Sequence, residues 1–172
     1  MTRPIQVMGV LNATPDSFSD GGRFETLEAG LRHARALIEQ GADSLDIGGE
    51  STRPGARPVS AADEIARVVP LIAAIRAESA IPISIDTMKP DVARAAVAAG
   101  ASIWNDVTAL SAPGAPGLAA ELGCEVVLMH MQGEPRTMQA APHYDDVVAE
   151  VSGFLLARAE AVMAAGVRRE RI

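Results

Sequence analysis

The sequence predicts an α/β fold on a parallel sheet, and two observations carry that prediction. Short apolar, β-branched runs alternate with longer segments of helical period, five times along the 172 residues. Each run then stops at groups able to bind: Asn12, Gly48 to Arg53, Asp86, Asn105 with Asp106, and His130. In parallel α/β folds the C-terminal strand ends open on one side, so these groups are expected around a single mouth.

The strands are read at Ile5 to Leu11, Ser44 to Ile47, Ile83 to Ile85, Ser102 to Trp104 and Glu125 to Met129. Leu27, Leu31, Ala34, Leu37 and Ile38 recur at helical spacing before Gly41, a natural stop. A second helix follows Ser60, a capping hydroxyl with Asp63 three residues on; Ile65, Val68, Val69, Ile72 and Ile75 form its apolar face and charged residues the other. The third helix is bounded by Pro90 and Gly100, and a short fourth is expected at Gly117 to Leu122. A fifth carries Val147, Val148, Val151, Phe154, Leu155 and Val162 before Gly166. Strands this apolar, joined by helices, are expected to be buried on both faces. Periodicity alone fits either an open doubly wound sheet or a closed (β/α)₈ barrel.

With 48% hydrophobic residues the chain has material for the core of one domain. Its net charge of −7, with Lys and Arg scattered, argues against a nucleic-acid surface. The first apolar run is far too short for a membrane span and lacks a cleavage site, and the single Cys124 forms no disulfide within the chain. These features fit a cytoplasmic protein with no membrane partner.

Asp86 is placed to accept parallel hydrogen bonds from an N–H and a neighbouring amino group, and Asn105 can donate and accept beside it. The pair is matched to the aminopyrimidinone edge of a pterin, although the same pair could orient a helix or a neighbouring loop, and taken alone it favours that structural use. The polar segment Asn12 to Gly22 is long for a βα connection, which favours a functional loop. Glu50 to Gly55 gathers hydroxyls, backbone N–H groups and the Arg53 guanidinium, as an anion site needs, or forms a solvated turn. His130 has no second histidine at ligand spacing and is read as a structural residue, not a metal ligand; Met129 and Met131 are read as pocket wall or core, and Trp104 and Cys124 as core.

Taken together, Asn12-Ala13-Thr14-Pro15-Asp16-Ser17-Phe18-Ser19-Asp20-Gly21-Gly22, Asp46-Ile47-Gly48-Gly49-Glu50-Ser51-Thr52-Arg53-Pro54-Gly55, Ser84-Ile85-Asp86-Thr87, Asn105-Asp106 and Leu128-Met129-His130-Met131-Gln132-Gly133 resemble the motifs of dihydropteroate synthase. The resemblance runs from about Met8 to the end and implies a TIM (β/α)₈ barrel. It implies transfer of a pterinylmethyl group from a pterin diphosphate to 4-aminobenzoate with Mg²⁺, in an enzyme that is a homodimer when complete. By the same resemblance Asn12 serves the Mg²⁺ and diphosphate end and Thr52 contacts the diphosphate. Asp86 and Asn105 hold the ring and are the residues assigned to catalysis, and Met129 lines the ring pocket. Phe18, Arg53 and Pro54 form the 4-aminobenzoate side.

Three later motifs of that family, Asp-Pro-Gly, Ser-Arg-Lys and Arg-x-His, do not occur in the sequence. The expectation is therefore a single domain spanning residues 1–172 that holds five of eight βα units, cut before a sixth strand and inactive alone. A non-catalytic pterin-binding or assembly subunit is an alternative. A pterin-dependent methyltransferase is another, although such an enzyme should lack the Ser51 to Gly55 loop.

Overall fold

Five strands form where the apolar runs lie, and all pair in parallel in the order β1-β2-β3-β4-β5. The structure, a computed structural model, describes residues 5–13, 23–50, 58–134, 137–139 and 141–172. The elements are β1 (Met8–Asn12), α1 (Arg23–Glu39), β2 (Ser44–Gly48), α2 (Ala61–Glu78), β3 (Ile83–Asp86), α3 (Pro90–Ala99), β4 (Ile103–Asp106), α4 (Ala115–Leu122), β5 (Glu125–Leu128) and α5 (Val147–Ala164). A doubly wound sheet reverses its strand order at a switch point. Here every strand lies beside its neighbour in sequence, and each helix packs on the next, so the helices form one layer over one face.

The register sorts the side chains into rows. Leu11, Ile47, Ile85, Trp104 and Val126 align across the five strands and face the helices, all of them buried. One residue further on, and on the opposite face, Asn12, Gly48, Asp86, Asn105 and Val127 form a second row. A third row two residues below it contains Val10, Asp46, Ser84, Ile103 and Glu125. The apolar core lies between the helix-facing row and Leu31, Ala34, Val68, Ile72, Ile75, Val92 and Ala96 of the helices.

Burial on both faces holds for β2 and β3 but not for β1 or β5, where exposure alternates. These are the edge strands, and nothing among the described residues covers their free face: Val10 is 57% and Val127 43% exposed. β1 also starts at Met8, later than the apolar run; just before it Val7 is tied to Asp43, whose N–H donates to the Val7 carbonyl at 2.8 Å and whose carboxylate accepts from Val7 N at 2.7 Å.

The helix ends follow the signals in the sequence. Ser60 Oγ accepts from Asp63 N at 3.1 Å and caps α2, while Gly41 and Gly100 take φ of 98° and 120° just past α1 and α3. Within α2 the buried face is rotated from the expected one: Leu71 and Glu64 are buried and Ile65 and Val69 only partly so. The helix also runs through Pro70. α4 begins two residues earlier than expected, at Ala115. α5 forms as expected but buries only Val162 of its apolar residues, leaving Val147 and Val148 exposed.

Where β2 ends, α2 sits directly on the backbone. A Cβ at Gly49 would lie 2.8 Å from both Glu64 Cγ and Val68 Cγ1. Gly49→Ala is therefore expected to cost about 1–3 kcal/mol by overpacking, measured as a fall in the urea midpoint; an unchanged midpoint contradicts this close approach.

Candidate ligand-binding site

The second row brings three of the expected binding residues together at the C-terminal edge of the sheet. Gly48 stands between Asn12 and Asp86, and a Cβ there would lie 3.5 Å from Asp86 Oδ2 and 3.8 Å from Asn12 Oδ1. Glycine thus leaves the two side chains facing one another across β2. Asp86 and Asn105 are paired neighbours on β3 and β4. Beyond them Thr87 N donates to the Asn105 carbonyl at 3.0 Å and Trp104 Nε1 donates to the Thr87 carbonyl at 2.8 Å. The strand ends are locked side by side, which fixes the spacing of the two polar groups.

Asp86 is electrostatically uncomfortable. Burial, and then the nearby carboxylates of Asp46, Glu64 and Asp106, push its pKa from 3.8 up to about 7. A carboxyl group so placed gains from any ligand that offers it N–H donors.

Asp46 stands beside this row and was not singled out from the sequence. It lies below Gly48 on the same face, 7% exposed, and Asn105 Nδ2 donates to its two carboxylate oxygens at 3.4 and 3.3 Å. The available signal was a carboxylate flanked by Leu45 and Ile47 inside an otherwise apolar strand. Buried carboxylates of this kind are rare without a partner or a purpose.

Other strand-end residues have structural roles. Asp106 points to the helix side, where its carboxylate accepts from Thr108 N and Thr108 Oγ1, each at 2.7 Å, and from Leu110 N at 3.1 Å. Burial pushes its pKa up and these hydrogen bonds pull it back. The turn it holds places Ala109 and Leu110 at φ of 54° and 55°, and Arg158 of α5 donates to both of their carbonyls at 2.9 and 2.8 Å. Lys89, also unforeseen, bridges Glu50 and the buried Glu64, the latter at 2.6 Å. Burial alone would lower the Lys89 pKa, but the two carboxylates outweigh it and raise it. Glu50 also accepts from Val59 N at 3.1 Å, and Arg67 donates to the Gly49 carbonyl at 2.9 Å.

His130 packs edge-on against Phe154, ring centroids 5.0 Å apart, with Tyr144 at 5.8 Å, in keeping with a structural role. Met129 follows β5 and is partly buried. Trp104 and Cys124 are in the core, and burial pushes the Cys124 thiol pKa up, away from reactivity. Phe18, Thr52, Arg53 and Pro54 lie outside the described residues. Among the described residues no group of three or more His, Cys, Asp and Glu side chains is arranged to hold a metal, and no helix is long and apolar enough to cross a membrane.

Comparison with known proteins gives this row its context. The family model described as pterin binding enzyme matches residues 8–172. The chain belongs to the pterin binding enzyme family. Within that family it is 50% identical over 166 residues to the dihydropteroate synthase of Escherichia coli K12, covering 96% of this chain and 59% of the relative. A solved dihydropteroate synthase of Xanthomonas albilineans with 4-aminobenzoic acid superposes with a TM-score of 0.88 at 55% identity, covering 96% of this chain and 59% of that one. The Burkholderia cenocepacia enzyme complexed with 7,8-dihydropteroate superposes at 0.84 with 50% identity, covering 99% and 57%. The chain thus spans less than two thirds of the length of these pterin binding relatives, and its five βα units are part of a (β/α)₈ barrel.

The raised proton affinity of Asp86 has a consequence for stability. Between the ordinary pKa of 3.8 and about 7 the folded state holds a proton that the unfolded chain has released, so this residue's contribution falls as pH rises through that window and is level above it. Asp86→Asn is expected to be more stable than the parent by about 2–4 kcal/mol at pH 8, with the gap closing towards pH 4. Urea titrations across this range check it; a gap independent of pH refutes the assignment.

Proposed function

We propose that the protein to which this chain belongs is a dihydropteroate synthase, joining 6-hydroxymethyl-7,8-dihydropterin diphosphate to 4-aminobenzoate to give 7,8-dihydropteroate and diphosphate. The observation that carries the proposal is the row Asn12, Gly48, Asp86 and Asn105, whose amide and carboxyl groups meet at the strand ends. The relatives named above support it, two of them solved with 4-aminobenzoic acid or 7,8-dihydropteroate.

On this reading the Asp86 carboxylate and the Asn105 amide receive the amino and ring N–H groups of the pterin. Meeting those donors relieves the burial of Asp86, and its negative charge favours positive charge developing on the ring. The carbon–oxygen bond at the pterin methylene breaks with its electron pair leaving on the diphosphate. The arylamine lone pair then forms the carbon–nitrogen bond, and the amine releases a proton. No side-chain nucleophile is needed.

Asn12 lies at the other end of the row and serves the diphosphate. Its amide oxygen is a hard donor of the kind Mg²⁺ takes, and this ion commonly draws its remaining ligands from substrate phosphates and water. When bound, Mg²⁺ offsets the charge on the departing diphosphate. Thr52 is assigned to the diphosphate, Met129 to the ring-pocket wall, and Phe18, Arg53 and Pro54 to 4-aminobenzoate. A homodimer of the complete enzyme and a cytoplasmic location belong to the same reading.

In the full-length protein, given both substrates and Mg²⁺, Asp86→Ala is expected to lower kcat/KM by a factor of about 100 or more. Unchanged turnover removes Asp86 from the site. The 172-residue chain, without the Asp-Pro-Gly, Ser-Arg-Lys and Arg-x-His motifs, is expected to form no product. Product formed by it would refute the need for those motifs.

A further inference from the structure

We infer that Asp46 is a positioning residue that sets the direction of the Asn105 amide, so that Oδ1 and not the NH₂ group faces the ligand beside Asp86. The inference rests on the reading of this row as the ring site and names what gives it specificity.

Asp46 is buried on β2, and among the described residues its side-chain hydrogen bonds are those from Asn105 Nδ2, at 3.4 and 3.3 Å. The contact crosses β3, which at the level of Asp46 carries Ser84. Ser84 is small and its buried Oγ has no hydrogen-bond partner among the described residues, so it neither blocks the approach nor competes for either group. The helix-facing core makes no use of Asp46, which projects from the opposite face. A carboxylate buried at the expense of its hydration, with one polar partner, is better suited to orienting that partner than to holding the sheet.

An asparagine amide can present either a donor or an acceptor by rotating its terminal group. Here one orientation is disfavoured, because rotation would set Oδ1 against two carboxylate oxygens, acceptor against acceptor. The ligand therefore meets two adjacent acceptor groups, the Asp86 carboxylate and Asn105 Oδ1. Such a pair selects a heterocycle edge bearing neighbouring N–H donors, and it repels an edge that presents a carbonyl or an unprotonated ring nitrogen. Asp46 thus acts on specificity without touching the ligand.

The test is a double-mutant cycle in the full-length protein, read by calorimetric titration with 6-hydroxymethyl-7,8-dihydropterin, which carries the ring without the diphosphate. Asp46→Asn is expected to weaken binding by about tenfold or more in the parent, and by less than about twofold in an Asn105→Ala background, because its effect passes through Asn105. Equal weakening in both backgrounds overturns the inference and leaves the ring-site reading standing. No weakening by Asn105→Ala overturns both. The exchange Asp46→Asn with Asn105→Asp provides an independent check, since the new amide donates to the new carboxylate and an acceptor oxygen still faces the ligand. Binding by the exchanged protein within about threefold of the parent supports the inference; binding as weak as that of Asn105→Ala overturns it.

Discussion

A parallel sheet whose helices all lie on one face must leave its other face to something other than its own helices, and the site follows from that constraint. Strand-to-strand crossovers in one direction are right-handed, so successive βα units whose strands add in order stack their helices on the same side. The period of two along each strand then does the sorting. Leu11, Ile47, Ile85, Trp104 and Val126 turn to the helices, and Asn12, Gly48, Asp86 and Asn105 turn away. A slip of one residue would exchange the rows. It would strip several side chains of burial worth about 1.5–3 kcal/mol each and drive Asp86 into an apolar layer, so the core specifies the register and the polar row inherits it.

Two neighbouring strand ends show how differently a carboxylate can be used. Asp106 sits on the helix side, and three hydrogen bonds from Thr108 and Leu110 compensate its burial while it shapes the turn after β4. Asp86 sits on the free side among like charges, and its proton affinity rises accordingly. One carboxylate is satisfied by its own chain; the other receives no hydrogen bond among the described residues, and on the proposed function a ligand satisfies it. Lys89 performs a third kind of compensation. It ties Glu50, beyond the end of β2, to Glu64 on α2, with one Glu64 oxygen still lacking a hydrogen-bond partner among the described residues.

The alternation of apolar runs and helical segments made the five βα units legible, and the abrupt polar ends of the strands made Asn12, Asp86 and Asn105 legible as a group. Strand order was not legible in the periodicity, which carries no information about pairing, and was implied only by the resemblance to a (β/α)₈ barrel family. The rotated face of α2 escaped for a related reason: Glu64 reads as a solvated charge until Lys89 of α3's N-terminal cap is brought against it. Asp46 was hidden by its neighbours, since a polar residue inside an apolar strand acquires meaning only when Asn105, two strands away, is placed beside it. α5 misled in the opposite direction. Its apolar residues formed a helix as expected, but Val147, Val148 and Leu156 are exposed because only part of its surface meets this chain's core.

The free face also links closure of the sheet to the charge on Asp86. Met8, Val10 and Val127 share it with Asp86 and are exposed on the edge strands. A sheet continued past β5 and brought round to β1 would cover these residues, and each fully buried valine contributes about 1.5–3 kcal/mol to such closure. The same covering would remove water from Asp86 and raise its proton affinity further, since burial is already the largest cause of its shift. Contacts that close a barrel around this row would therefore strain its central carboxylate, which on the proposed function a donor-bearing ligand relieves. On that reading closure and ligand recognition draw on the same desolvation, and the proposed binding residues stand on the face that the helices leave bare.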